Sequence, residues 1–229
     1  MNIYLDIETI PTQREDLIAD IRSELAEELA AITAPSNYKD EAKIAEYLAD
    51  KAGEMEGKFD DKYRATALDG AMGEICCIGW AFDDEAPDSL SDRPEPVILR
   101  NLFTQLEDRF QESHGRRMTF IGHNIVDFDL RFIRQRAIIN GIKPPDWVPF
   151  DAKPWETDRV FDTMVQWAGL KRGGSLNKLC KVMGITQKGD LDGSKVWDYY
   201  KAGRISEIAL YCRDDVERVR KIYKRMTFQ

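Results

Sequence analysis

A chain of 229 residues with 43% hydrophobic and 32% charged positions has room for one large domain with its own core, and its makeup is that of an ordinary water-soluble protein. No apolar run is long enough to span a bilayer, and the acids Asp6 and Glu8 interrupt the stretch where a basic and then apolar leader would stand, so the expectation is a cytoplasmic protein with no membrane partner. The net charge of −8 argues against a nucleic-acid partner only until the acids are located, because carboxylates gathered around cations are neutralised by them and the metal then meets phosphate in place of lysine.

Asn2–Asp6 reads as a short apolar strand ending in charge, and Pro11 breaks it. From Arg14 to Thr33 the period changes: Leu17, Ile21, Leu25 and Leu29 recur every four residues, one stripe of an amphipathic helix with Glu24, Glu27 and Glu28 facing water. After a break at Ala34–Asn37, a second helix is expected from Asp40 to about Ala52, with Ile44, Tyr47 and Leu48 as its apolar face. Glu74–Phe82 (EICCIGWAF) is a nearly continuous apolar strand. Glu95–Arg100 (EPVILR) reads as a third strand, following a turn rich in Asp and Pro, and Leu102–Ser113 as a helix. Met118–Gly122 is a fourth strand, Asp127–Ile139 a helix and Val160–Asp162 a short fifth strand. Four helical stretches follow, beginning near Thr163, Ser175, Ser194 and Ser206. Strands that cluster early and helices that fill the last third predict an α/β fold: a mixed five-stranded sheet flanked by helices, one domain over 1–229, with a helical insertion at 14–64 after the first strand.

Four cysteines form no C-x-x-C pair; Cys76 and Cys77, inside an apolar strand, read as small buried hydrophobes. His114 and His123 are not spaced to complete a zinc site with them. The acids are concentrated from Glu15 to Asp61, whereas the C-terminal third carries Lys171, Arg172, Lys178, Lys181, Lys188, Lys195, Lys201 and Arg204, a set equally consistent with a solvated face and with a basic patch.

Three segments carry chemistry. In the first, Asp6 and Glu8 lie two apart on a strand and so share a face, with Ile7 turned into the core. Such carboxylates repel and would share a proton, a preference that a hard divalent cation reverses. In the second, Asn124 to Asp129 spans the junction of strand and helix, a usual station for active-site side chains. Asp129 falls in the first helical turn, which the helix dipole also favours, Asp127 could serve as an N-cap, and His123 and Asn124 would shape the turn. In the third, Tyr211 and Asp215 are i, i+4 on a helix, phenol and carboxylate on one face, while Asp214 points away toward the surface.

Together these segments resemble the DEDD superfamily of 3′–5′ exonucleases, whose fold is related to ribonuclease H. Asp6 and Glu8 match its D-x-E motif, Asp129 closes N-x-x-x-F-D, and Tyr211 with Asp215 matches Y-x-x-x-D. A histidine form of the third motif needs His five residues before Asp215, where Leu210 stands, so the tyrosine branch fits. Within that branch the chain is similar to stand-alone exonucleases akin to the proofreading domain of family B DNA polymerases, through DIETIP (6–11), GHNIVDFDLRF (122–132), DTM (162–164), SLNKLCKVMGI (175–185), DG (192–193) and YCRDDVERV (211–219). The resemblance covers 1–10 and 67–229 and leaves the inserted helices unexplained, open to a substrate contact or a protein partner.

The resemblance implies a ribonuclease H-like sheet and two Mg²⁺ or Mn²⁺ ions about 3.5–4 Å apart. Asp6 would bridge them, Glu8 and Asp215 would complete the first ion's shell, and Asp129 would hold the second. Tyr211 would orient the attacking water, and Thr9, Asn124 and Phe128 would hold the terminal nucleotide, although Phe128 also suits a core aromatic. The substrate implied is the 3′ end of a nucleic acid, single-stranded DNA first, and the setting a bacterium or a virus in a bacterial host. Readings of another class are a binding module without turnover, a ribonuclease H-like endonuclease and a polymerase fragment.

Overall fold

A computed structural model describes residues 1–114, 116–170, 173–186 and 191–229; Lys171, Arg172 and Lys188 of the basic set therefore lie outside the described residues. By internal packing the chain divides into two compact units, one formed by Met1–Thr9 with Ile75–Gln229 and one by Ile10–Glu74.

The larger unit is built on a five-stranded sheet of β1 (Asn2–Ile10), β2 (Glu74–Phe82), β3 (Asp88–Ser91), β4 (Thr119–Gly122) and β5 (Val160–Asp162), in the order β3-β2-β1-β4-β5. β4 runs parallel to both β1 and β5, and β3 is antiparallel to β2, so the sheet is mixed as expected. Alternation along β1 sends Ile3, Leu5 and Ile7 to one face. There they join Ile98, Leu99, Leu102 and Leu106 of α3 (Glu95–Glu112) and Leu130, Phe132 and Ile133 of α4 (Asp129–Ile139) in the main core. Tyr4 points the other way and packs with Ala81, Ile121, Val216 and Val219, the last two from α8 (Ile205–Met226). Asp6 and Glu8 follow Tyr4 at a period of two and therefore share the α8 face.

Between β5 and α8 lie α5 (Thr163–Ala168), α6 (Leu176–Val182) and α7 (Val196–Lys201), close to the expected starts. Two glycines seat the elements that matter. A Cβ on Gly79 would stand 2.8 Å from Cys212 Sγ, so only a glycine in β2 lets α8 lie this close to the sheet. A Cβ on Gly122 would stand 2.6 Å from that of Ile125, so the chain can fold back directly over the end of β4.

Three expectations are corrected. Glu95–Arg100 is not a strand but the opening of α3: Pro94 starts the helix, a second proline occupies its first turn, and Ile98, Leu99 and Leu102 continue a helical stripe. The third strand is Asp88–Ser91, inside the stretch read as a turn. The first strand does not stop at Asp6 but continues to Ile10, which puts the D-x-E pair inside the sheet rather than at its margin.

The Ile10–Glu74 unit is a helical hairpin of α1 (Glu15–Ala30) and α2 (Glu41–Ala65), closed by a 3-10 turn at Thr66–Leu68. Ile21 and Leu25 pack on Met55, flanked by Leu29, Ile32, Phe59 and Met72, and Lys58 pairs with Glu28 across the helices at 2.5 Å. The second helix runs thirteen residues past Ala52, so its apolar face is centred on Met55, and Leu48 is exposed.

Candidate active site

β1 supplies two carboxylates and the N-terminus of α4 a third. Asp129, in the first turn of α4, is buried and accepts the backbone N–H of Ile7 through Oδ1 at 3.0 Å. The amide between the two β1 acids therefore holds the acid of the middle motif against the strand. The fourth carboxylate comes from α8, whose second and third turns carry Tyr211 and Asp215; Asp215 is buried, Tyr211 is half-buried, and the phenol is close enough to the carboxylate to lower its pKa. Asp6, Glu8, Asp129 and Asp215, spread over 210 positions of the chain, thus converge on the same stretch of β1 beside one phenol, close enough that Glu8, Asp215 and Asp129 all act on the charge of Asp6.

The loop behind Asp129 is held by Asp162, the first residue of the DTM segment, whose part at the site no local pattern announces. Asp162, at the end of β5, caps α5 by accepting the N–H groups of Met164 and Val165, and also accepts those of Asn124 (3.0 Å) and Val126 (3.3 Å). Asn124 sits at φ +63°, a left-handed conformation that asparagine tolerates, and its carbonyl accepts from Phe128 N–H. His123 Nε2 donates to Gly174 O at 2.6 Å, which requires the proton on that nitrogen, and its Nδ1 lies 3.0 Å from Thr163 Oγ1. Burial lowers the His123 pKa, consistent with a neutral, structural ring. Asp127 is not the N-cap: Phe128 stands at that position, and Asp127 is exposed and paired with Arg131 at 3.0 Å. Phe128 is half-buried against the main core and tilts onto Phe132, so its ring serves packing first.

The pattern of these residues has relatives. Residues 89–229 match the family model described as "Predicted 3'-5' exonuclease related to the exonuclease domain of PolB". The chain belongs to this family. By lineage it falls with the DEDD exonucleases of PolB type, and its sheet is ribonuclease H-like. Among solved structures, the family B DNA polymerase of the hyperthermophilic archaeon Pyrobaculum calidifontis matches 99% of the chain at 14% identity and a TM-score of 0.55. The chain spans about a quarter of that polymerase, 24% of its length, and the likeness is one of fold. No curated protein matched.

In this PolB-type family member the electrostatics of the pocket are those of acids short of countercharge. Burial, then Glu8, Asp215 and Asp129, push the Asp6 carboxyl well above the usual range. Burial, then Asp215, do the same to Glu8. Asp129 is pushed up to about 7 by burial, although its own N–H and that of Ile7 oppose the rise. Asp215 is raised by burial and held down by Arg218 and Tyr211. The Tyr211 phenol is raised strongly, by burial first and then by Asp215, Glu8 and Asp6, so it keeps its proton as a donor.

Asp6 Oδ2 is the one buried side-chain nitrogen or oxygen among the described residues without a hydrogen-bond partner. An orphaned buried acceptor costs about 1–3 kcal/mol, more when charged, unless something fills its place. One ligand atom each from Asp6, Glu8 and Cys212 lies within 4.8 Å of the others. Carboxylate oxygens are hard donors suited to Mg²⁺ or Mn²⁺, so the residues fit a divalent cation. The nearness of Cys212 was not foreseen; only its position next to Tyr211 could have hinted at it. Of the described basic residues, Lys195, Lys201 and Arg204 pair with Asp192, Asp198 and Glu207 a turn away, as on a solvated face. Among the described residues no helix is long and apolar enough to cross a membrane.

Proposed function

We propose that this protein hydrolyses the terminal phosphodiester bond at the 3′ end of a nucleic-acid strand, most readily single-stranded DNA, and releases nucleoside 5′-monophosphates. The observation that carries this reading is the convergence of Asp6, Glu8, Asp129 and Asp215 around an unpartnered Asp6 oxygen, with a protonated phenol at the rim. The family match supports exonuclease chemistry at the 3′ end, and the Tyr211–Asp215 spacing supports the tyrosine branch of the superfamily.

Asp6, Glu8, Asp129 and Asp215 would hold two divalent cations, Mg²⁺ or Mn²⁺. Bound there, the cations would make a water more acidic and offset the charge that builds on the phosphate. The remaining work belongs to the chain. Ile7 N–H and the first turn of α4 keep Asp129 facing β1, and Asp162 keeps the Asn124–Val126 turn in place below it. Tyr211, with a proton held tightly, donates to the attacking water's oxygen and sets its line of approach to phosphorus. The water's oxygen bonds to phosphorus as the bond to the 3′-oxygen breaks, and that oxygen leaves as the hydroxyl of the shortened strand. Thr9 and Asn124 would meet the terminal nucleotide, and Phe128, anchored in the core, would shape its pocket rather than stack on its base. The helical Ile10–Glu74 unit is read as an insertion within one exonuclease domain.

The test is a product analysis with 3′-labelled DNA and RNA of matched sequence, in Mg²⁺, in Mn²⁺ and in chelator. Immediate release of labelled mononucleotide that needs the metal is expected. Larger internal fragments would mean an endonuclease, and intact substrate under every condition would mean a module without turnover.

A further inference from the structure

The face of α8 that carries Tyr211 and Asp215 does not end with them. Arg218 lies three residues past Asp215 and seven past Tyr211, which places all three on one helical stripe. It is 5% exposed, and its Nη1 donates to Asp215 Oδ1 at 2.5 Å. The same guanidinium lies 6.0 Å from the centroid of the Tyr211 ring, at the range of a cation–π contact. Nothing in the Tyr-x-x-x-Asp pattern asks for an arginine here. Ion pairs at this spacing on an exposed helix are weak; this one is withdrawn from water at both ends.

We propose that Arg218 is a positioning residue for the candidate active site, anchoring Asp215 and Tyr211 in the places from which they serve Asp6 and Glu8. The inference rests on the exonuclease reading above. Asp215 lies near enough to Asp6 and Glu8 to raise the pKa of both, so the three carboxylates can ionise together only if each is held in place against the others. Arg218 is itself enclosed, so it does not readily trade the carboxylate for solvent. By bonding to Oδ1 it restricts rotation of the carboxylate. It thereby also fixes the acid that neighbours the Tyr211 phenol. Arg218 touches no substrate in this account and acts through its two neighbours.

The experiment compares wild type, Arg218→Met and Arg218→Lys in two readouts: kcat and KM on 3′-labelled single-stranded DNA, and Mn²⁺ binding measured by the spin resonance of the free ion. Loss of the anchor should lower kcat by about tenfold to a hundredfold, as small misplacements at an active site do, with little change in KM. The Mn²⁺ concentration for half-saturation should rise, and lysine, which keeps the charge without the planar fork, should fall between the other two. A methionine variant that melts at a lower temperature but keeps wild-type kcat and Mn²⁺ affinity well below its melting point overturns the proposal, because a purely structural residue would do that. Tighter Mn²⁺ binding in that variant also overturns it, since Arg218 would then be only a competing charge. If Arg218→Met does not fold, the lysine variant decides: reduced kcat with weakened Mn²⁺ binding supports the proposal, and wild-type values of both overturn it. A wild-type protein that binds Mn²⁺ but releases no nucleotide fails the exonuclease reading instead, and the Mn²⁺ titrations of the variants still report on the hold over Asp215.

Discussion

Stripped of divalent cations, the protein should become less stable as the pH rises toward 8. The carboxyl of Asp129 is pushed up from 3.8 to about 7 in the fold. Below about pH 4 it is protonated in both the folded and the unfolded chain and contributes no difference. Between about pH 4 and 7 the unfolded chain gives up the proton and the folded one retains it, so stability falls with pH and levels off once the folded group has ionised. A rise of about three pK units corresponds to about 4 kcal/mol by pH 8, which for a chain of this size is a fall in Tm of about 10 °C. Asp6 and Glu8 are raised by the same causes and act in the same direction. His123, whose pKa is lowered, opposes them below about pH 6.5, where the unfolded ring takes up a proton. Exposed acids lowered by ion pairs, such as Asp84 and Asp151, act only below about pH 4. The assay is thermal unfolding by circular dichroism in chelator at pH 5 to 8, with Asp129→Asn as the reference that isolates one carboxyl by difference. Mn²⁺ binds the ionised acids, so its stabilising shift in Tm should grow with pH. A difference curve that is flat or rises with pH, or a Mn²⁺ shift that is the same at pH 5 and pH 8, would refute the reasoning.

Asp6→Ala or Asp215→Ala should cost several kcal/mol of transition-state stabilisation, about a hundredfold or more in rate; near-wild-type turnover in a folded variant would rule the assignment out. Tyr211→Phe should cost less, since the acids remain; a loss as severe as that of Asp6→Ala would show that the phenol does more than orient water. Glu95, buried where α3 begins, accepts from Arg136 of α4 in a bidentate pair (2.8 and 2.7 Å) and from the backbone of Ile75 at 2.8 Å. Glu95→Ala should therefore lose about 3–5 kcal/mol on denaturant unfolding, and a loss below about 1 kcal/mol would mean that the pair is dispensable.

How much of this could be read from the chain depends on where a side chain's partner lies. β2 and β5 were legible to the residue, the first because it is apolar after Glu74, the second because it runs straight into a capping Asp. The carboxylate set was legible because each member sits in a local pattern (alternation in a strand, a helix start, an i, i+4 pair) and the patterns occur in a known order. Glu95–Arg100 misled because Val-Ile-Leu suits a buried strand as well as a helix, although two prolines so close together already favoured a helix start. Asp88–Ser91 escaped notice as a short polar strand paired with β2, with no apolar signature to show. Asp162, Cys212 and Arg218 could not be placed at the site from sequence, because what gives each its part is a neighbour brought in by the fold.

Asp162 deserves a last consideration for anyone wishing to redirect the pocket toward another substrate. One carboxylate carries both the bend after β4 and the first turn of α5, so neither can be rebuilt without loosening the other. Redesign should therefore leave 122–126 and 162–165 untouched.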